Sequence, residues 1–272
     1  MSKKDFIPIP PPAPLPEPEF IDPAGIKRLF DTGEIDLLCI MGPTASGKTA
    51  YAVRMARALN ELYADEGRHA EILSADSRQV FRGMDIGTGK DIGEYGDIPY
   101  HLIDIADPGE RYNICEYQKD FSEAYSSCLE RAVIPILCGG SGLYVEAVTK
   151  PEYELRDVSR SSLVPPRNTY YIATLVDRDT RRARIDRRLD QRLEQGMIEE
   201  IKGLLDRGVP ADVLIRYGLE YKFVTLYVQG ELTYDRMHEG LRFAIHQFAK
   251  RQMTWLRGME KDGIVFHWTE CR

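Results

Sequence analysis

The 272-residue chain has no apolar run near the ~20 residues that a membrane span requires. Its first residues, Met1-Ser2-Lys3-Lys4-Asp5, lead into prolines where a secretory leader would need an apolar core. The expectation is a soluble, cytoplasmic protein with no membrane partner. Cysteine is sparse and unpatterned: Cys39, Cys115, Cys128, Cys138 and Cys271 form no C-x-x-C pair and no Cys/His metal spacing, and Cys39 and Cys138 sit in apolar strand-like runs, where buried, reduced thiols are expected. The five histidines are scattered, and none is assigned a catalytic role. No internal repeat is evident. Positive charge is not in excess, because 36 Lys and Arg face 43 Asp and Glu for a net charge of -7. That balance argues against a general nucleic-acid coat. It leaves room for a local basic patch, since affinity for phosphates depends on where the cations sit.

What the chain does hold is enough apolar content, 43%, to bury a full core over one or two domains. Proline is concentrated at the start, with Pro8, Pro10, Pro11, Pro12, Pro14, Pro16, Pro18 and Pro23. This composition reads as an extended N-terminal arm over residues 1–34, ahead of a core over 35–272.

The core opens on Ile35-Asp36-Leu37-Leu38-Cys39-Ile40-Met41 followed by Gly42-Pro43-Thr44-Ala45-Ser46-Gly47-Lys48-Thr49, a full G-x-x-x-x-G-K-[ST] match. A phosphate loop needs that order: a strand delivers the chain, glycines turn backbone N–H groups inward, and a helix starts with its positive end at the anion. Lys48 supplies a point charge for the terminal phosphate, and the Thr49 hydroxyl is the expected Mg²⁺ ligand. The following helix shows an apolar stripe at Ala52, Met55, Ala56, Leu59, Leu62 and Tyr63. The motif establishes a polyphosphate site without naming a reaction.

Further strands are read at 70–75, at Tyr100 to Ile105, at Val133 to Cys138 and at Tyr170 to Val176, with a helix from Tyr117 to Ala132. Strand, loop and helix in alternation mean an α/β fold with a parallel sheet covered on both faces. Asp76-Ser77-Arg78-Gln79 lies just past the second strand, where open α/β sheets place ligands. From position alone, Asp76 is equally a catalytic group or a helix N-cap. Beyond the last strand, Arg178, Arg181, Arg182, Arg184, Arg187, Arg188 and Arg192 flank an apolar stripe of Ile185, Leu189 and Leu193. Most of these arginines read as a solvated face, with one or two reaching the phosphate site. More helices come after it, the last spanning Tyr234 to Arg257, and a short strand at 263–268 is expected at the sheet edge.

Six ordered segments carry a resemblance. They are the phosphate loop; Ser74-Ala75-Asp76-Ser77-Arg78-Gln79-Val80; Asp85-Ile86-Gly87-Thr88-Gly89-Lys90; His101-Leu102-Ile103-Asp104-Ile105; Pro135-Ile136-Leu137-Cys138-Gly139-Gly140-Ser141-Gly142-Leu143-Tyr144; and Ala249-Lys250-Arg251-Gln252-Met253-Thr254-Trp255-Leu256-Arg257. Together they resemble the tRNA dimethylallyltransferases, which prenylate N6 of the adenine next to the anticodon. The resemblance implies a P-loop NTPase-like three-layer fold with a C-terminal helical extension. It implies dimethylallyl diphosphate bound by residues 42–49, Mg²⁺ on Thr49, and Lys48, Thr49 and Arg188 stabilising the leaving diphosphate. Asp76 then matches the general base, and Asp76, Ser77, Arg78, Gln79 and Ser141 match the residues that meet the tRNA anticodon stem-loop.

The sequence also departs from that pattern. The family's helical insertion shrinks to a remnant at 149–169, Ser141 replaces a threonine, and Ala244-Ile245-His246-Gln247 and Tyr217-Gly218-Leu219-Glu220-Tyr221 replace two RNA-side motifs. An isopentenyltransferase using free AMP, a P-loop small-molecule kinase and an inactive paralogue are therefore the alternatives to a monomeric tRNA-modifying enzyme.

Overall fold

The computed structural model describes residues 15–150 and 164–271. Helix α1 (Pro23–Asp31) comes first, inside the stretch assigned to an extended arm. Proline is tolerated there because Pro23 takes the first helical position, where its missing N–H costs nothing, and Asp22 caps the turn by accepting from Ala24 N at 3.1 Å. Ile26 is buried. Ahead of it, Glu19 N donates to Trp268 O at 2.7 Å, so this part of the arm lies along the sheet edge.

Strand β1 (Leu37–Met41) enters the phosphate loop and α2 (Lys48–Leu62) leaves it. Then come β2 (Ala70–Ser74), β3 (Tyr100–His101), α3 (Ile114–Glu130), β4 (Ile134–Gly139), α4 (Gly142–Thr149) and β5 (Thr169–Leu175). The C-terminal part is α5 (Arg178–Glu194), α6 (Met197–Asp206), α7 (Ala211–Tyr217), α8 (Leu219–Val228), α9 (Tyr234–Lys261) and β6 (Phe266–Glu270). The six strands are ordered β3-β2-β4-β1-β5-β6 and every pairing is parallel. The insertion remnant assigned to 149–169 lies mostly outside the described residues.

Each central strand is buried on both faces, which is why it reads as a continuous apolar run. Leu38 and Ile40 pack with Ala52, Met55, Ala56 and Leu59 of α2, whereas Leu37, Cys39 and Met41 pack with Tyr117, Phe121 and Tyr144 on the other side. A third cluster joins α5, α6, α8 and α9 to Val80, Phe81 and Met84. Three details differ from the sequence reading. Leu62 is exposed and leaves the α2 stripe, while Tyr63 stays in it. The third strand stops after two residues because Leu102 and Asp104 adopt φ of 66° and 56°. That turn delivers the Asp104 carboxylate to the buried Lys90 ammonium, which also donates to Phe81 O at 2.7 Å. The final strand begins at Phe266, since Gly263 (φ 96°) turns the chain first.

Near the amino end of β2, the buried Glu71 carboxylate accepts two hydrogen bonds from Arg131, at 2.6 and 2.7 Å, and contacts His101 Nε2 at 2.6 Å and His69 Nε2 at 2.8 Å. Cys128 stands beside the same carboxylate, and the Arg131 guanidinium fills the cationic place in this Glu/His/Cys group. The Arg131 bonds hold the Glu71 carboxyl well below the usual carboxylate range against the opposing effect of burial. A depressed carboxyl stabilises the fold fully above its unfolded value of about 4.3 and loses that contribution as pH falls. Arg131→Ala is therefore expected to cost about 2 kcal/mol in urea unfolding at pH 7, and the cost to shrink below about pH 4. A pH-independent difference would contradict this role.

Candidate active site

Parallel strands place the loops after β1, β2 and β4 at one edge. The phosphate loop is shaped by Ala45 (φ 62°) and Gly47 (φ 84°), the latter immediately before α2. Gly42 has no alternative, because a Cβ there would lie 2.0 Å from Thr174 Oγ1. Ser46 is turned away from the loop's opening: its hydroxyl is buried and bonds Thr174 Oγ1 at 2.6 Å, while Thr174 donates to Met41 O at 3.2 Å. Pro43 serves through its carbonyl, which accepts from Ser46 N at 3.2 Å. Thr44, Lys48 and Thr49 border a cavity of about 380 Å³ at the amino end of α2.

Asp76 borders the same cavity, as do Lys48 and Arg188. No helix starts after it, which removes the N-cap alternative; its Oδ1 instead accepts from Arg78 N at 3.1 Å, fixing a turn. Ser77 and Ser141 tie the β2 and β4 loops together: Ser77 N donates to Ser141 Oγ at 3.1 Å, and Ser141 Oγ donates to Ser77 Oγ at 3.2 Å. Gly139 lets these loops touch, since a Cβ would fall 2.2 Å from Ala75 O. Gln79 donates to Gly89 O at 3.2 Å, which anchors the loop at 83–90. That loop is also held by Glu200 of α6, whose carboxylate accepts from Asp85 N, Ile86 N and Gly87 N at 2.8, 2.6 and 3.1 Å.

Of the arginines on α5, Arg188 and Arg192 reach the cavity one turn apart. Arg188 donates to Asp91 Oδ2 at 2.7 Å. Burial, followed by the neighbouring Arg188 charge, pulls the Arg192 guanidinium down to about 10. Glu220 supplies the counter-charge, accepting from Arg78 at 3.0 Å and lying 3.9 Å from Arg192. Both arginines pack over Gly89, where a Cβ would sit 1.5 Å from Arg192 Nη2 and 2.5 Å from Arg188 Nη2.

The site residues that sequence reasoning missed are Arg192, Glu220 and the α9 face, namely Ile245, Phe248, Arg251, Gln252 and Trp255. Gln252 bridges two loops: its Oε1 accepts from Thr44 N at 2.7 Å and its Nε2 donates to Gly140 O at 3.0 Å. The available signals were the one-turn spacing from Arg188 and the Ala249 to Arg257 motif, in which Gln252 and Trp255 lie.

A family model described as IPP transferase matches residues 79–163 and 151–259. The chain is 43% identical over 295 aligned residues to tRNA dimethylallyltransferase 2 of Bacteroides fragilis, covering 88% of this chain and 94% of that protein. It is 45% identical over 292 to tRNA dimethylallyltransferase 1 of Porphyromonas gingivalis, covering 86% and 94%. The chain belongs to the IPP transferase family. Its fold agrees with that of a solved relative, the tRNA isopentenylpyrophosphate transferase of Bacillus halodurans, at TM-score 0.74 and 29% identity over 86% of this chain and 89% of that one. Family membership sets aside the small-molecule kinase reading.

For this IPP transferase, the Gln252 bridge gives a direct test. Gly140→Ala would push a Cβ to 2.7 Å from Gln252 Nε2, and Gln252→Leu would leave both loop groups unpaired. Each change is expected to weaken inorganic pyrophosphate binding by about tenfold in calorimetry, the equivalent of one lost hydrogen bond to a desolvated group. Wild-type affinity in both variants would show that the bridge does not shape the phosphate loop.

Proposed function

We propose that the chain, as a monomer, transfers a dimethylallyl group from dimethylallyl diphosphate to N6 of the adenine beside the anticodon in tRNA. The observation that carries this reading is that Lys48, Arg188 and Asp76 border one and the same cavity. Its volume of about 380 Å³ falls within the ~300–1,000 Å³ typical of small-ligand sites. Two reacting groups held in one cavity convert an encounter between them into a local step.

The allylic C–O bond breaks as the N6–C bond forms. Diphosphate departs with the bonding electron pair, and Lys48 and Arg188 offset its charge. The N6 amine is a weak nucleophile, so Asp76 accepts a hydrogen bond from it, orients it and takes its proton. The donor set around Thr49 fits Mg²⁺, because Asp91 and Glu94 line the same recess as the Thr49 hydroxyl and all three offer hard oxygens. When bound, the ion would supply further neutralisation of the leaving group. Ser77, Arg78, Gln79 and Ser141 would meet the RNA around the flipped base. Extrusion costs a few kcal/mol, and less from a loop than from a duplex.

The RNA-gripping side is reduced in this reading. The alignment to the Bacteroides fragilis relative runs over 295 positions, more than the 272 residues of this chain, so that relative carries positions this chain lacks. That observation also keeps AMP as the competing acceptor.

Incubation with labelled donor and either an anticodon stem-loop or AMP decides the acceptor by product mass. The stem-loop is expected to gain the dimethylallyl group; product on AMP alone would overturn the tRNA assignment. Asp76→Asn should lower turnover by about 10²- to 10⁴-fold while donor binding stays unchanged, whereas Arg188→Ala should weaken both. Near-normal turnover in Asp76→Asn would remove Asp76 as the base.

A further inference from the structure

Glu200 of α6 is not among the described residues that border the cavity, yet its carboxylate grips a loop whose Thr88 and Gly89 do. Oε2 accepts from Asp85 N and Ile86 N at 2.8 and 2.6 Å, and Oε1 accepts from Gly87 N at 3.1 Å and from the Tyr221 hydroxyl at 2.7 Å. Two carboxylate oxygens offer about four acceptor sites, so these donors fill them. Tyr221 is fully buried, and its ring lies so close to Gly87 that a Cβ there would stand 2.8 Å from Cε2. Consecutive backbone amides aimed at one anion form the kind of concave nest that elsewhere binds phosphate. Here the anion is the protein's own.

What this nest fixes is the far end of the loop. Gly89 N donates to Ile86 O at 3.1 Å and Lys90 N to Asp85 O at 3.0 Å, so the residues bonded to Glu200 are also those that close the turn. Gly89 O accepts from Arg188 Nη2 at 3.4 Å and from Gln79 at 3.2 Å, and Asp91, two residues on, accepts from Arg188 at 2.7 Å. An arginine has several rotatable bonds, and whatever freedom it keeps must be given up when an anion binds. A fixed loop removes that freedom in advance.

We propose that Glu200 is a positioning residue for the donor diphosphate, setting its affinity through the 83–90 loop and Arg188. This rests on the assignment of Arg188 to that diphosphate. Glu200→Gln is nearly isosteric, but its amide nitrogen would face N–H or O–H donors where an acceptor is needed. The slack then reaches the guanidinium through Gly89 and Asp91.

Inorganic pyrophosphate binding by the full chain is measured by calorimetry in Glu200→Gln, Arg188→Ala and the double variant, with thermal unfolding followed alongside. Glu200→Gln is expected to bind about tenfold more weakly than wild type, and Arg188→Ala at least as weakly. Adding Glu200→Gln to Arg188→Ala should cost less than about twofold more, because changes that act through one group do not add. Tyr221→Phe keeps the ring against Gly87 but removes one bond to Glu200, and it serves where Glu200→Gln does not fold. Its expected loss of about threefold should likewise vanish beside Arg188→Ala.

A lower unfolding temperature in Glu200→Gln with wild-type pyrophosphate affinity assigns the carboxylate to stability alone and overturns the proposal. Equal losses with and without Arg188 show that Glu200 acts elsewhere and overturn it as well. Where Glu200→Gln does not fold, wild-type affinity in Tyr221→Phe does the same. In each of these cases Arg188→Ala still weakens binding, so the diphosphate assignment stands. Wild-type affinity in Arg188→Ala removes that assignment, and the role of Glu200 falls with it.

Discussion

Three loops leave the carboxyl ends of β1, β2 and β4 at one sheet edge, and the hydrogen bonds that cross between them are the constraint on which the site depends. Gln252 joins the phosphate loop to the β4 loop, and Ser141 joins the β4 loop to Ser77 beside Asp76. A short path of fixed bonds therefore runs from the phosphate-binding amides to the carboxylate. Glycines make the contacts close enough: Gly42, Gly139 and Gly140 stand where a Cβ would meet an atom within 2.0 to 2.7 Å. Placement of this kind matters because misalignment of reacting groups by about 1 Å can cost ~10²-fold in rate.

Charge is the second constraint. The chain is acidic as a whole, yet five cations border the cavity against two carboxylates. The fold concentrates them by laying the Arg188 and Arg192 side chains of α5 against Gly89 and by using Glu220 to hold Arg78 near Arg192. A concave site lined by one sign of charge attracts the opposite sign more strongly than a flat surface does. Lys90, fully buried and bonded to Asp104, Asp85 and Phe81 O, braces the loop on which Arg188 and Arg192 rest.

The parts legible in the sequence are those written in local order. The phosphate loop declares itself by strand, glycines and helix in one stretch, and Asp76 and Arg188 were reached through motifs that occupy contiguous residues. Gln252 was not legible as a site residue, because its partner Thr44 is 208 positions away and no local pattern reports the pairing. Arg192 was lost among neighbours of the same type, and its environment is set by Glu220 on another helix. Helix α1 was hidden by composition: a proline-rich stretch argues for extended chain, but Pro23 sits at the first helical position, the one place in a helix where proline is favoured. The third strand was overread because Leu102 is apolar, while its positive φ is imposed by the need to bring Asp104 to Lys90.

The central claim is that donor diphosphate and acceptor amine meet in one cavity between the phosphate loop and Asp76. Diffraction from crystals grown with dimethylallyl thiodiphosphate, an unreactive donor analogue, and an adenine-containing stem-loop tests it most directly. The account predicts the diphosphate against Lys48 and Arg188, with its first carbon directed to an adenine N6 that is hydrogen-bonded to Asp76. A diphosphate bound outside the phosphate loop, or an adenine whose N6 lies away from Asp76, would contradict it.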